Sequence, residues 1–195
     1  MALISLSKVS FSYGADNLLD GISIVFNDNE QVAIIGDNGT GKTTLLRLLS
    51  GDLLPETGNI NNGASTYMLN QINISDSKSG GEQQMYALMR AFESRADILL
   101  LDEPLGALDA FTRMNMQDEI LKIWQEKQQL AIMVTHDVDE AIYMGTRVLV
   151  MDAHPGRVIA DIPIDLPFPR DRGSREFVEY RNDILNKLHF AGKKS

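Results

Sequence analysis

The sequence predicts an α/β fold built on a buried, mainly parallel sheet, and three observations predict it. Residues 31–35, 97–101, 130–134 and 147–151 form short runs dominated by apolar side chains, the pattern of strands covered on both faces. Stretches of helical composition or spacing lie between them, at residues 43–49, 79–92 and 111–127. The first apolar run stops at a glycine-rich loop that opens straight into a helix. Buried strands alternating with helices give a parallel sheet with helices on its faces.

In chain order, residues 3–6, 9–13 and 22–26 alternate apolar and polar side chains and read as short strands, with turn residues at 14–17 and 27–29. The run at 31–35 is the first buried strand and 43–49 the first helix. In the stretch 111–127, Met114, Ile120, Leu121 and Trp124 recur at helical spacing. Residues 162–173, rich in proline and charge, read as a loop, and 176–190 as an amphipathic closing helix. There is no internal repeat and no low-complexity tract.

Composition bounds the function. With 195 residues, 44% of them hydrophobic, the chain suits one compact domain. It has no cysteine, which excludes disulfides, thiol catalysis and thiolate metal sites and agrees with a reducing cytoplasm. Its three histidines, His136, His154 and His189, lack zinc-ligand spacing. A net charge of −9 disfavours binding to a nucleic-acid backbone. The start of the chain lacks the pattern of a signal peptide, and the longest apolar runs fall far short of the ~20 residues a membrane helix needs. The expected location is the cytoplasm, and any role at a membrane must come through a partner.

Three motifs carry chemistry. Gly36, Asp37, Asn38, Gly39, Thr40, Gly41, Lys42 and Thr43, followed by Thr44, match the phosphate-loop pattern. Glycines let successive N–H groups curl round a phosphate, the next helix points its positive end at it, Lys42 adds a mobile charge, and Thr43 offers a hydroxyl to Mg²⁺. The apolar strand at 98–101 ends in Asp102 and Glu103: the first is placed for a Mg²⁺ shell, the second to polarise an attacking water. Ser79, Gly80, Gly81 and Glu82 open a helix as a second cradle of backbone donors, although Ser79 and Glu82 also fit an ordinary capping box.

These motifs, with Gln71, with Ala107, Leu108 and Asp109, and with Val134, Thr135, His136 and Asp137, follow one another in an order that resembles the nucleotide-binding domain of ABC proteins. The resemblance implies a phosphate-loop ATPase with a RecA-like core and an antiparallel β subdomain. It implies ATP and Mg²⁺ as cofactors and hydrolysis to ADP and phosphate. Lys42, Gln71, Glu103 and His136 would be catalytic, with Glu103 as the base and His136 at the γ-phosphate. Thr43, Gln71 and Asp102 would organise the metal, Tyr13 would stack on adenine, and Ser79 to Glu82 of a second copy would close the site. Asp109 would lie at the contact between the two copies.

The halves resemble different branches. Residues 85–195, with Asp102 to Arg113, Thr135 to Ala141 and the proline- and arginine-rich tail, are similar to ATPase subunits of nitrate, sulfonate and taurine importers. Residues 1–84 resemble the first domain of the ribosome-acting ABC-F resistance proteins. Only residues 72–78 separate Gln71 from Ser79, where transporter ATPases hold a helical subdomain that grips the membrane subunit. The sequence therefore implies one ABC ATPase domain that largely lacks the helical subdomain, and a recombined origin. Its partners would be a second copy and membrane permease subunits at the inner face of the plasma membrane, or under the alternative a ribosome.

Overall fold

The computed structural model describes residues 1–14, 16–70, 80–153 and 155–191. For residues 80–82 and 189–191 the description is of the helical backbone alone. A six-stranded sheet forms the centre. Its strands are β3 (Gln31–Gly36), β5 (Thr66–Leu69), β6 (Ile98–Asp102), β7 (Leu130–Val134), β8 (Arg147–Asp152) and β9 (Arg157–Pro163). Their spatial order is β5-β6-β7-β3-β8-β9, parallel except for the β8–β9 pair. Beside it lies a three-stranded antiparallel sheet of β2 (Asp16–Asn27), β1 (Ala2–Tyr13) and β4 (Thr57–Asn62), in that order.

Five helices are described: α1 (Lys42–Ser50), α2 (Gly80–Glu93), α3 (Ala110–Lys127), α4 (Val138–Met144) and α5 (Arg175–Ala191). The pleat of the central sheet sorts its side chains into two cores. Ala33, Ile35, Leu99, Leu101, Met133 and Val150 pack with α2, α3, α4 and α5. Ile34, Leu100, Ile132, Val134 and Leu149 pack with α1 and the inner residues of the antiparallel sheet, such as Phe26 and Ile24. This period of two explains why the four apolar runs carry no polar face.

The structure corrects several expectations of local structure. Residues 3–6 and 9–13 belong to one strand, which continues through Lys8 at φ 50° with shifts of register on either side. The edge strands β4, β5 and β9 are additions to the predicted set. On α3, Met116 faces the core whereas Met114 is exposed. The stretch 162–173 begins as the end of β9, and its loop is tied down by Arg170. That buried guanidinium donates to the carbonyls of Ile142, Tyr143 and Gly145, which close α4. A cation at a helix C-terminus is favoured by the helix dipole. The expected antiparallel subdomain is present. The stretch on which the expected lack of a helical subdomain turns, 71–79, lies outside the described residues; α2 packs directly on β5 and α3.

Candidate nucleotide site

The parallel register places the carboxyl ends of three strands together. Ile34 lies beside Val134 and Val134 beside Asp102, so the loops after β3, β7 and β6 open at one end of the sheet. This is where α/β sheets bind ligands.

The loop after β3 is built for close approach. Gly39 and Gly41 sit at φ 84° and 86°, conformations that a side chain makes costly. A Cβ on Gly36 would meet the Met151 carbonyl oxygen at 2.6 Å, and one on Gly41 would meet Leu19 Cδ2 at 2.5 Å. Gly41 starts α1 without a side-chain cap, and the first turn of α1 holds no acidic residue. In contrast, α3 and α4 are capped by Asp109 and Asp137. The open N–H groups of α1 are thus left to an external anion.

Lys42 is folded back over this loop. Its Nζ donates to the carbonyls of Gly36 (2.7 Å) and Asp37 (2.8 Å). Burial lowers its pKa, while Glu103, Asp102 and Asp37 oppose that shift. Asp102, only 6% exposed, moves the other way. Burial raises its pKa, the hydroxyl of Thr43 lowers it by hydrogen bonding, the charge of Glu103 raises it, and Lys42 lowers it. A buried carboxylate bonded to a hydroxyl, beside a second carboxylate, gains from a bound cation. Among the described residues no group of three or more acidic or histidine side chains is arranged to hold a metal ion. The hydroxyl of Thr43 bonded to the Asp102 carboxylate fits Mg²⁺, which is commonly held by one or two protein oxygens together with substrate phosphates.

Glu103 follows Asp102 at φ 44°, a strained conformation for a residue with a side chain. Its N–H donates to the Val134 carbonyl (3.0 Å) and its own carbonyl accepts from Gly106 (3.1 Å). His136 Nδ1 lies 3.4 Å from Glu103 Oε1. Two hollows flank these groups. One of about 240 Å³ is bordered by Asn38, Gly39, Lys42, Thr43 and Glu103. The other, of about 350 Å³, is bordered by Gly36, Asp37, Asn38, Glu103, His136 and Leu188.

The His136 loop has its own scaffold. Thr135 Oγ1 donates to Glu140 Oε2 (3.0 Å) and accepts from the Asp137 N–H (3.1 Å). Glu140 is buried, its Oε1 has no hydrogen-bond partner among the described residues, and burial pushes its pKa up to about 7. On α2, the buried Gln84 donates to the Pro104 carbonyl and so ties that helix to the Glu103 loop.

The structure thus brings together residues 36–44, Asp102, Glu103 and His136. Thr40 and Thr44 are buried beneath the loop. Tyr13 is half exposed, packs edge-on against Phe11 and borders neither hollow. Its hydroxyl accepts from Arg47 of α1 at 3.4 Å. Asp109 caps α3 through the N–H groups of Phe111 and Thr112. Gln71 and Ser79 lie outside the described residues, as does the side chain of Glu82. Sequence reasoning missed Gly156, where a Cβ would lie 2.2 Å from the Thr40 carbonyl oxygen. Its position one residue after a proline was the available signal.

Comparison with known proteins gives the family. A family model described as ABC transporter matches residues 19–78. An aliphatic sulfonates import ATP-binding protein (SsuB 2) of Mesorhizobium japonicum is 36% identical over 232 aligned positions, covering 95% of this chain and 91% of that protein. This chain belongs to the ABC transporter ATP-binding family. A second sulfonate import ATP-binding protein (SsuB 1), from Agrobacterium fabrum, is 33% identical to this ABC ATPase over 96% of the chain and 84% of its own length. A dimeric ATP-binding cassette bound to ADP and Pi shares the fold, with a TM-score of 0.70 at 19% identity over 84% of this chain and 100% of its own. Importer likeness therefore extends beyond residues 85–195, and the expectation of a recombined origin gains no support from these matches.

Proposed function

We propose that this ABC ATPase domain, of the import type, hydrolyses the terminal phosphate of Mg-ATP. The observation that carries this reading is the convergence, at the ends of β3, β6 and β7, of the uncapped α1 terminus, Lys42, Thr43 bonded to Asp102, and Glu103 beside His136. The loop amides and Lys42 bind the β- and γ-phosphates. Thr43 and Asp102 hold Mg²⁺, which neutralises charge on the phosphate oxygens when bound, with Gln71 as a further contact. Glu103 accepts a proton from water as its oxygen bonds to the γ-phosphorus and the bond to the β-phosphate oxygen breaks, giving ADP and phosphate. His136 orients the water and the γ-phosphate, and Tyr13 stacks on the base.

Ser79 to Glu82 of a second copy complete the site, a reading supported by the dimeric relative in fold. The import type is supported by the sulfonate import proteins, and on this reading the natural position is the inner face of the plasma membrane, against permease subunits. The short stretch 72–78 departs from that plan. Fully extended it reaches only roughly 25 Å, and the relatives align over 232 and 234 positions against a chain of 195 residues, so they carry segments that this chain lacks. The grip for a permease is accordingly reduced. Nucleotide affinity is ordinary, hydrolysis by the isolated chain is weak, and an importer permease leaves it unstimulated. Reconstitution with a sulfonate-type permease, measuring ATPase rate and substrate uptake together, tests this reduced grip; robust coupled uptake would refute it and mean that residues 85–195 suffice for docking.

A further inference from the structure

Arg113 stands one turn into α3, at the junction of the two loops that carry Glu103 and His136. Its Nε donates to the Leu105 carbonyl at 3.3 Å and its Nη2 to the Leu108 carbonyl at 3.0 Å, both in the stretch between Glu103 and Asp109. Its Nη1 lies 3.5 Å from Asp137 Oδ2, the residue after His136. The backbone of Arg113 is fixed by its own N–H, which donates to the Asp109 carbonyl at 2.9 Å. The side chain borders neither hollow beside the phosphate loop and is 25% exposed. A guanidinium presents several donors in one rigid plane, so three contacts on two loops fix the loops relative to each other. Removing it leaves two carbonyls and one carboxylate without their common partner.

We infer that Arg113 is a positioning residue for hydrolysis, holding the Glu103 loop and the His136 loop in register so that carboxylate and imidazole face the same water. The inference rests on the roles proposed above for Glu103 and His136. It requires that Arg113 act on rate and not on affinity, because the phosphate loop and α1 do not depend on it.

Single-turnover hydrolysis, with the protein in excess over radiolabelled Mg-ATP, measures the rate, and titration with a fluorescent ATP analogue measures affinity. Arg113→Ala should slow the chemical step about ten- to a hundredfold, the scale of a small misplacement of reacting groups. Its affinity for Mg-ATP should stay within about twofold of the parent, the signature of an interaction made only in the transition state. Asp137→Asn keeps the cap of α4, since asparagine caps as well as aspartate, yet removes the charge facing Arg113. If the two act as one unit, the double variant is no slower than Arg113→Ala alone. Should Arg113→Ala not fold, as judged by circular dichroism at the assay temperature, Arg113→Lys keeps the charge with fewer contacts and should lie between parent and dead enzyme. An unchanged rate, a parallel loss of affinity, or single effects that multiply would each overturn the inference. Glu103→Gln separates it from the reading beneath it. A parent whose turnover survives Glu103→Gln sinks both, whereas turnover abolished by Glu103→Gln but untouched by Arg113→Ala sinks this inference alone.

Discussion

Replacing Glu140 by glutamine should flatten the pH dependence of the domain's stability. The carboxyl is 4% exposed and, among the described residues, bonded to Thr135, with Asp137, Arg113 and His136 as charged or titratable groups around it. Burial lifts its pKa from 4.5 to about 7; the bond from Thr135 opposes this, the charge of Asp137 adds to it, and Arg113 and His136 oppose it. Between those two pH values the folded chain keeps a proton that the unfolded chain has released. Its contribution is therefore complete below pH 4.5 and is lost as pH rises to about 7. At 1.36 kcal/mol per pH unit the ceiling is about 3 kcal/mol. Glutamine keeps an acceptor for Thr135 and carries no charge at any pH. Urea unfolding followed by the single, buried Trp124 should show parent and variant close in stability near pH 5. Near pH 8 the variant should be the more stable, by up to about 3 kcal/mol. Subtracting one curve from the other removes the groups both chains share. A difference that stays constant from pH 5 to pH 8 would refute the assignment of this titration to Glu140.

Two further substitutions probe the phosphate loop. Lys42→Ala removes a charge-assisted contact to the phosphates worth about 1.5–3 kcal/mol, so titration with a fluorescent ATP analogue should show affinity lower by roughly ten- to a hundredfold. Unchanged affinity would remove the loop from the account. Gly156→Ala drives a methyl group against the Thr40 and Leu18 carbonyls, and overpacking of this kind costs about 1–3 kcal/mol or more. Both thermal midpoint and nucleotide affinity should fall, and a variant indistinguishable from the parent would show that this contact is slack.

The centre of the fold was legible because its physics is local. Residues 31–35, 98–101, 130–134 and 147–151 must be apolar on both faces to sit between two cores, and that leaves a plain mark. The phosphate loop was legible because close backbone approach at Gly36 and Gly41 demands glycine. The edges were not. In β4 only Ile60 is even partly buried, and its place is set by pairing with β1, which no local pattern announces. β9 does alternate in burial from Arg157 to Pro163, a signal hidden by the prolines that follow. The choice of Met116 over Met114 depends on how α3 is rotated against the sheet, a property of packing. In the site, Asp102 and Glu103 were readable as a pair with separate expected roles, and what the sequence did not carry is how differently the two are held. One is buried against Thr43, the other held at positive φ beside His136. Gln84 and Arg113 act through backbone carbonyls of other loops, and no motif encodes such contacts.

On the reading proposed above, Glu103 performs the base chemistry at a site whose binding power resides in the loop after β3. Glu103→Gln separates the two. Mg-ATP affinity and the single-turnover rate of γ-phosphate release should be measured on the same preparation of parent and variant. Affinity close to the parent value, with the rate reduced about 10²- to 10⁴-fold, is the predicted result. Hydrolysis by the variant at the parent rate would contradict the account and place the base elsewhere.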